Sequence, residues 1–358
     1  MPYCHKCGAK LDEDAKFCPV CGTPVASITP VEKSATPQRN SQRPRRIILP
    51  LTGIVLIAIL VISVVGVVIA FAPFQPISFS QSNEATAGNV DTLNLIVEAD
   101  VADVNVMMKD LPGNQRAAVN VSATGWRGIF GTDQPLALRF NEDTNNSTFT
   151  YSVNVSRSET WMIFNTLNVN LDVFVDPSVK LDITVHTVTG SIAMNASTDA
   201  TIQNLDLRAN TGNVEAIVNG SVILSGDFSI QTTTGSVRLQ WAEVKVMQSI
   251  PINVMTTTGS AEVNITQSRQ FVGNVTLNAQ TTTGGVNFAM HIQNEVGARI
   301  SASTTIGGVN VQQSGFDGNQ SPLQSNSYPS GNNFIVLLSA TTGGIDINAV
   351  YDLGGTRS

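Results

Sequence analysis

The stretch Gln231-Thr-Thr-Thr-Gly-Ser-Val-Arg-Leu239 recurs as Met255-Thr-Thr-Thr-Gly-Ser-Ala-Glu-Val263 and Gln280-Thr-Thr-Thr-Gly-Gly-Val-Asn-Phe288. Looser copies extend the series in both directions, with the glycine at positions 190, 212, 235, 259, 284, 307 and 343. Successive spacings are 22, 23, 24, 25, 23 and 36 residues, a period that signals stacked repeat architectures. Two residues after the glycine stand Ile192, Val214, Val237, Ala261, Val286, Val309 and Ile345, and four after stand Met194, Ala216, Leu239, Val263, Phe288, Val311 and Ile347. Between them lie Ala193, Glu215, Arg238, Glu262, Asn287, Asn310 and Asp346, polar in six of seven copies. Apolar-in, polar-out alternation of this kind is a strand with one buried face. It continues ahead of the glycine, with Val185, Leu207, Ile230, Val254, Ala279, Ala302 and Leu338 five residues before it. Three before it only Thr or Ala occurs, small enough to line a bend, and the glycine is expected to take a backbone conformation closed to other residues.

Each repeat therefore reads as strand, bend, strand. One such unit cannot bury its own apolar face, so the copies must stack. The predicted fold class is all-β, with a β-solenoid-like stacked repeat domain over residues 181–352. A two-sheet sandwich of hairpins is the rival, disfavoured because the columns stay in register at near-constant spacing. Glu215, Arg238 and Glu262 share one column of adjacent repeats and are expected to form an exposed ladder. Residues 89–180 are strand-like but irregular and are expected to cap the repeats, with Ala102 where a degenerate first copy would carry its glycine. The last spacing exceeds the period by about 13 residues, and long insertions of this kind are often binding elements. The surplus lies in residues 313–333, where Phe316 and Tyr328 are the candidate partner contacts.

Working outward, charge is unevenly shared. Eight of the 20 Lys+Arg but four of the 27 Asp+Glu precede residue 47, and the whole chain of 358 residues carries a net charge of −7. The acidity belongs to the part of the chain after residue 46, which repels phosphate backbones and argues against nucleic acid as its partner. Residues 47–72, IILPLTGIVLIAILVISVVGVVIAFA, hold no charge over 26 positions, more than the roughly 20 needed to cross a bilayer core. This run is expected to be one transmembrane helix between a flexible basic linker, 26–46, and a short linker, 73–88. Arg39, Arg43, Arg45 and Arg46 precede it, and no Lys or Arg follows through Asn83. The positive-inside rule then places the N-terminus in the cytoplasm and the repeat domain outside.

All four cysteines fall in the head, residues 1–25, as Cys4-His5-Lys6-Cys7-Gly8 and Cys18-Pro19-Val20-Cys21-Gly22. Two CxxC pairs at short separation place four thiolates around one metal, and four such ligands leave no open position, so the expected cofactor is structural zinc. So short a segment has little apolar core of its own, and metal coordination must supply most of its folding free energy. Reduced thiolates also fit the cytoplasmic side. Lys6, Lys10 and Lys16 are balanced by Asp12, Glu13 and Asp14, leaving no basic face for nucleic acid.

The Cys-x-x-Cys-Gly knuckles, with Leu11, Ala15 and Phe17 between and beside them, resemble the short zinc ribbon at the N-terminus of many prokaryotic membrane proteins, over residues 3–24. The Thr-Thr-Thr-Gly repeats behind a single anchor resemble the “putative adhesin” family of β-repeat envelope domains, over about residues 90–352. That second resemblance implies the fold and brings no catalytic residues. Within the domain expected outside the membrane the histidines are His186 and His291, and the adjacent acidic pair Glu142-Asp143 sits among turn residues, a poor basis for general acid–base chemistry. The expected function is a membrane-anchored, non-catalytic, adhesin-like surface protein that binds an envelope glycan or surface protein. The alternative is a transmembrane sensor whose zinc ribbon docks a cytoplasmic protein.

Overall fold

The computed structural model describes residues 3–4, 6–12, 15–24, 55–65, 75–127, 134, 136–158, 166–318 and 320–352. The chain divides into two compact units, Met1–Ala70 and Phe71–Ser358. In the first, antiparallel bridges Tyr3↔Lys10 and Phe17↔Pro24 close two knuckles, and Leu11 packs with Cys4 and Cys18. Residues 55–65 form a helix whose side chains are exposed. The rest of the expected span 47–72 and all of linker 26–46 lie outside the described residues. Among the described residues no helix is long and apolar enough to cross a membrane.

The second unit is all-β and builds two sheets, of 11 and 14 strands. Every repeat places the strand before its glycine in the larger sheet and the strand after it in the smaller one, so strand, corner and strand make one rung. Neighbouring rungs pair parallel and in register: Leu207↔Ile230 and Ile230↔Val254 in one sheet, Ala216↔Leu239 and Leu239↔Val263 in the other. The two strands of a repeat thus lie in different sheets, not in a hairpin. The inward columns meet between the sheets, where Ile230, Val254, Leu239 and Val263 are each 0 % exposed. Burying such a side chain contributes about 1.5–3 kcal/mol. On the outer face Arg238 reaches Glu262 at 2.8 Å and Glu215 at 3.8 Å, so the expected ladder is present. Arg238 is exposed and the two glutamates are half-buried, and each contact is worth on the order of 0.2–1 kcal/mol.

The corner fixes the stacking distance. Gly235 has φ 142°, and a Cβ there would lie 2.1 Å from the carbonyl oxygen of Gly212. The backbones of successive corners therefore touch where any side chain would have to be. The buried threonine three residues before the glycine ties the same corners: Thr232 and Thr256 donate to the carbonyls of Gly212 and Gly235, at 2.8 and 2.9 Å.

At the N-terminal end Thr92–Val101 and Asp103–Met108 form a complete rung with Ala102 at its corner, pairing with the Gly190 rung. This rung lies inside the stretch 89–180 read as irregular from the sequence. Ala102 stands at the corner of this rung, and Gly190 approaches its carbonyl as the later glycines approach the corners beneath them. Antiparallel strands Gln75–Thr86, which occupies most of the stretch 73–88 read as a linker from the sequence, and Gln115–Arg127 extend the smaller sheet beyond it through Thr166–Val175, and Thr148–Arg157 and Leu136–Asn145 extend the larger. Buried Asp176 bridges Arg116 at 2.6 Å and accepts from Ser178, pinning the ends of this extension together.

At the other end the rungs leave chain order. Gly273–Thr283 pairs with Asn332–Thr342, which in turn pairs with Gly297–Ile306. The smaller sheet agrees, running Val286–Gln293, Ile345–Asp352, Val309–Ser314. The corner hydrogen bonds follow: Gly284 N–H donates to the Thr342 carbonyl and Gly343 N–H to that of Ile306, both at 2.8 Å. The last repeat is slotted between the fifth and sixth. The 36-residue spacing, expected to hold a free loop, is the length the chain needs to pass the outer side of the sixth rung and return within it. On the way Phe316–Asp317 and Leu323–Ser325 form a hairpin lying antiparallel on Gly297–Ile306.

Two outcomes follow. Gly235→Ala forces a strained backbone and a backbone clash, and should cost about 3 kcal/mol or more, whereas Gly308→Ala, with nothing within 4 Å of its Cβ, should leave the thermal midpoint nearly unchanged. For rung order, Asn278 pairs with Leu337 and Leu337 with Ser301. Oxidation should cross-link an Asn278→Cys/Leu337→Cys variant and spare Asn278→Cys/Ser301→Cys, as read by peptide mapping; the reverse result would restore stacking in chain order.

Candidate metal centre and binding surface

Each knuckle of the head is built by backbone. Gly8 N–H donates to the Cys4 carbonyl and Gly22 N–H to that of Cys18, both at 2.8 Å, with the two glycines at φ 72° and 69°. This tight return aims two sulfurs from each knuckle at one point. The ligand atoms of Cys4, Cys7, Cys18 and Cys21 all lie within 4.8 Å of one another, and Cys4–Cys21 and Cys7–Cys18 are each 3.6 Å apart at sulfur. A tetrahedron with zinc–sulfur bonds of about 2.3 Å has edges of about 3.8 Å, so the donor set fits that ion, and all four expected ligands are brought together.

The sulfurs are not equivalent. The hydroxyl and then the N–H of Thr23 lower the Cys21 thiol to about 6. Backbone N–H groups of Lys6 and Cys7 lower Cys4. At Cys7 the Ala9 N–H acts downward, but the crowding of Cys21 and burial among the other sulfurs push the thiol up to about 12. Binding a cation at neutral pH therefore has to expel the Cys7 proton, and falling pH re-protonates the ligands and weakens the site. Native mass spectrometry should find one zinc per chain and none in Cys7→Ala or Cys18→Ala. Calorimetry at pH 7 in buffers of different ionisation enthalpy should show net proton release, and affinity should drop from pH 7 to pH 5.

The second surface is the outer face of the larger sheet. Strand register lines up Glu98, His186, Arg208, Gln231, Met255 and Gln280 in one outward column across six rungs. Together with Thr233, Thr257 and Thr282 they line a groove of about 500 Å³. Its charged end is internally satisfied, since Arg208 contacts Asp206 at 2.7 Å and Glu98 accepts from Asn154 at 3.2 Å. From Gln231 to Gln280 the column carries no charge. The sequence contains a signal for this groove in its outward column four residues before each glycine, but the residue types there differ so widely that no motif marks them.

Phe316 is not offered to a partner. It is 6 % exposed and packs edge-on against Tyr351 with ring centroids 6.4 Å apart, because the segment carrying it folds over the end of the stack. Tyr328 is half-buried and its N–H donates to the Ser325 carbonyl at 2.9 Å. The two aromatics expected to act together on a free loop are thus parts of an end cover.

Residues 3–25 match the model of the zinc-ribbon domain. No curated protein matches the chain. Among solved structures, a putative cell adhesion protein from Clostridium sporogenes is similar at 12 % identity and a TM-score of 0.37, covering 76 % of this chain and 99 % of that one. A putative adhesin from Bacteroides fragilis is similar at 12 % identity and a TM-score of 0.33, covering 75 % and 97 %. A putative lipid binding protein from Parabacteroides distasonis follows at 11 % identity and a TM-score of 0.26, covering 75 % and 96 %.

Proposed function

We propose that this chain is a membrane-anchored, non-catalytic binding protein. In this reading the apolar run 47–72 spans the membrane, the head holds one structural zinc ion in the cytoplasm, and the stacked rungs form a β-solenoid outside. The observation that carries the binding role is the outward column of the larger sheet, where Gln231, Met255 and Gln280 succeed one another rung by rung beside Thr233, Thr257 and Thr282.

Such a face suits an extended, uncharged polysaccharide. Amide and hydroxyl groups offer donors and acceptors in fixed directions, and Met255 gives an apolar surface for the C–H face of a sugar ring. The rungs repeat every 4.8 Å or so, close to the length of one pyranose unit, so successive sugars meet similar groups. Rigid strands hold these groups in place before the ligand arrives, which reduces the ordering cost of binding. The acids of the groove are engaged by Arg208 and Asn154, which suits recognition better than proton transfer.

Pull-down of the full chain on insoluble chitin, cellulose and peptidoglycan sacculi tests this. At least one should retain the protein, and Gln231→Lys/Gln280→Lys should weaken retention tenfold or more, about 1.4 kcal/mol. Asn264→Lys, on the opposite sheet, should not. Equal retention of all three proteins would remove the groove as the site.

A further inference from the structure

The two ends of the stack terminate differently. At the N-terminal end the edge strands are Gln75–Thr86 and Leu136–Asn145. The first carries Glu84 and the second Arg139, Glu142 and Asp143, charges of the kind that keep exposed edges from pairing. At the other end the larger sheet is covered by the hairpin on Gly297–Ile306. The smaller sheet ends on Val309–Ser314, which pairs with Ile345–Asp352 on one side and, among the described residues, with no strand on the other.

This edge lacks the usual protection. Its sequence, Val309-Asn-Val-Gln-Gln-Ser314, has no charge and no proline. Val309 belongs to a column whose other members are at most 1 % exposed, yet it is 38 % exposed itself. Ile306, where the other six repeats all have Thr, is 65 % exposed. The sixth rung therefore presents an unpaired row of backbone donors and acceptors flanked by apolar side chains.

We propose that this edge pairs antiparallel with the same edge of a second copy of the chain. Identity of the partner follows from three observations. Two uncharged edges do not repel, whereas the edges at the far end of a second copy bear charges. A twofold axis makes such a contact self-complementary and closed, so it stops at two copies. The pleat also permits it: residues opposite each other in an antiparallel pair share a face, so a twofold axis perpendicular to the sheet brings one residue opposite itself, and Val311 and Gln312 flank the middle of the strand. Val309 and Val311 of both copies then lie on one inward face.

Position in the sheet gives the contact its consequence. Val309–Ser314 and Gln75–Thr86 are opposite edges of the 11-stranded sheet, about 48 Å apart at 4.8 Å per strand. The chain enters the domain at the Gln75 edge, just after the apolar run, so joined copies have their entry points far apart. This geometry suits copies held on two facing membranes, a homophilic contact that rests on the proposed anchoring but not on the groove's ligand. A six-residue edge buries less than the roughly 1,200–2,000 Å² of a stable standard interface, so single pairs are weak and arrays of them hold.

The full chain in detergent should show a weak monomer–dimer equilibrium by sedimentation, with amide exchange of residues 308–314 slowing as concentration rises. Gln312→Cys should form a symmetric cross-linked dimer. Val309→Lys and Gln312→Glu should each weaken dimerisation tenfold or more, and mixing Gln312→Glu with Gln312→Lys should restore it, which only pairing between copies at this residue achieves. A chain that stays monomeric at all concentrations, or a dimer indifferent to all these changes, overturns the proposal. Dimerisation in detergent with no clustering of vesicles bearing the chain would overturn the facing-membrane geometry alone, and polysaccharide retention by Gln312→Glu would keep the groove a separate question.

Discussion

The contact on which the repeat domain depends is the approach of each corner glycine to the carbonyl of the corner beneath it. A Cβ at Gly259 would stand 1.9 Å from the Gly235 carbonyl oxygen, and one at Gly284 1.8 Å from that of Gly259. With φ near 140° at each of these corners, the chain turns from one sheet to the other in a single residue. The turn can be so sharp only because nothing projects from it, and the rungs can be so close only for the same reason. Strand register on both sides follows from the corner, since the N–H groups of Gly190, Gly212, Gly235, Gly259, Gly284 and Gly343 each bond the rung above at 2.8–2.9 Å. The inward columns then coincide, and coincidence is what buries them: side chains such as Val237, Leu239 and Val263 are sealed by like residues in neighbouring rungs.

This constraint explains which parts of the fold the sequence discloses. A corner that admits only glycine, flanked by columns that admit only apolar residues, leaves a periodic trace that needs no knowledge of neighbours. Rung order leaves no such trace, because rungs six and seven are interchangeable by these rules: Ala302 and Leu338, Val309 and Ile345 and Val311 and Ile347 all satisfy the same columns. Two departures do distinguish the sixth. Ile306 replaces the exposed corner Thr, and Gln313 occupies the inward position held elsewhere by Ala196, Val218, Trp241, Ile265, Met290 and Ala349. An amide there is tolerable only where the interior stops, and Gln313 uses it to accept from the Phe316 N–H and to donate to the Gly318 carbonyl. The sixth repeat is marked as an end, but the mark is legible only once an end is sought.

The candidate sites divide along the same line. Cys4, Cys7, Cys18 and Cys21 are legible because sulfur ligation is local, with two knuckles of fixed spacing converging across one short segment. The groove is not, because it is made of residues that share only a register position, and Glu98 reaches it from a rung outside the motif series altogether. Phe316 was misread for the converse reason. Its polar surroundings in sequence suggest a loop, whereas its actual neighbour, Tyr351, comes from the repeat that the interleaving brings beneath it. Tyr351 also donates to the Asn294 carbonyl at 2.6 Å, so the aromatic pair closes the end of the core from both sides.

Interleaving also decides what kind of edge the smaller sheet exposes. Stacked in chain order, the sheet would end on Ile345–Asp352, with Asp346 and Asp352 along its open side. Negative charge there would oppose pairing with a second identical edge. In the observed order that strand is interior: Asp346 accepts from Asn310 at 3.3 Å and Asp352 lies 2.7 Å from the His291 ring. The charges are thereby matched to neighbours on either side, and the strand left outermost is the one with none. An arrangement serving only to end the stack would gain nothing by covering a self-protecting edge and exposing an unprotected one. The order of the last two rungs is therefore what turns the end of this sheet from a terminus into a surface able to pair.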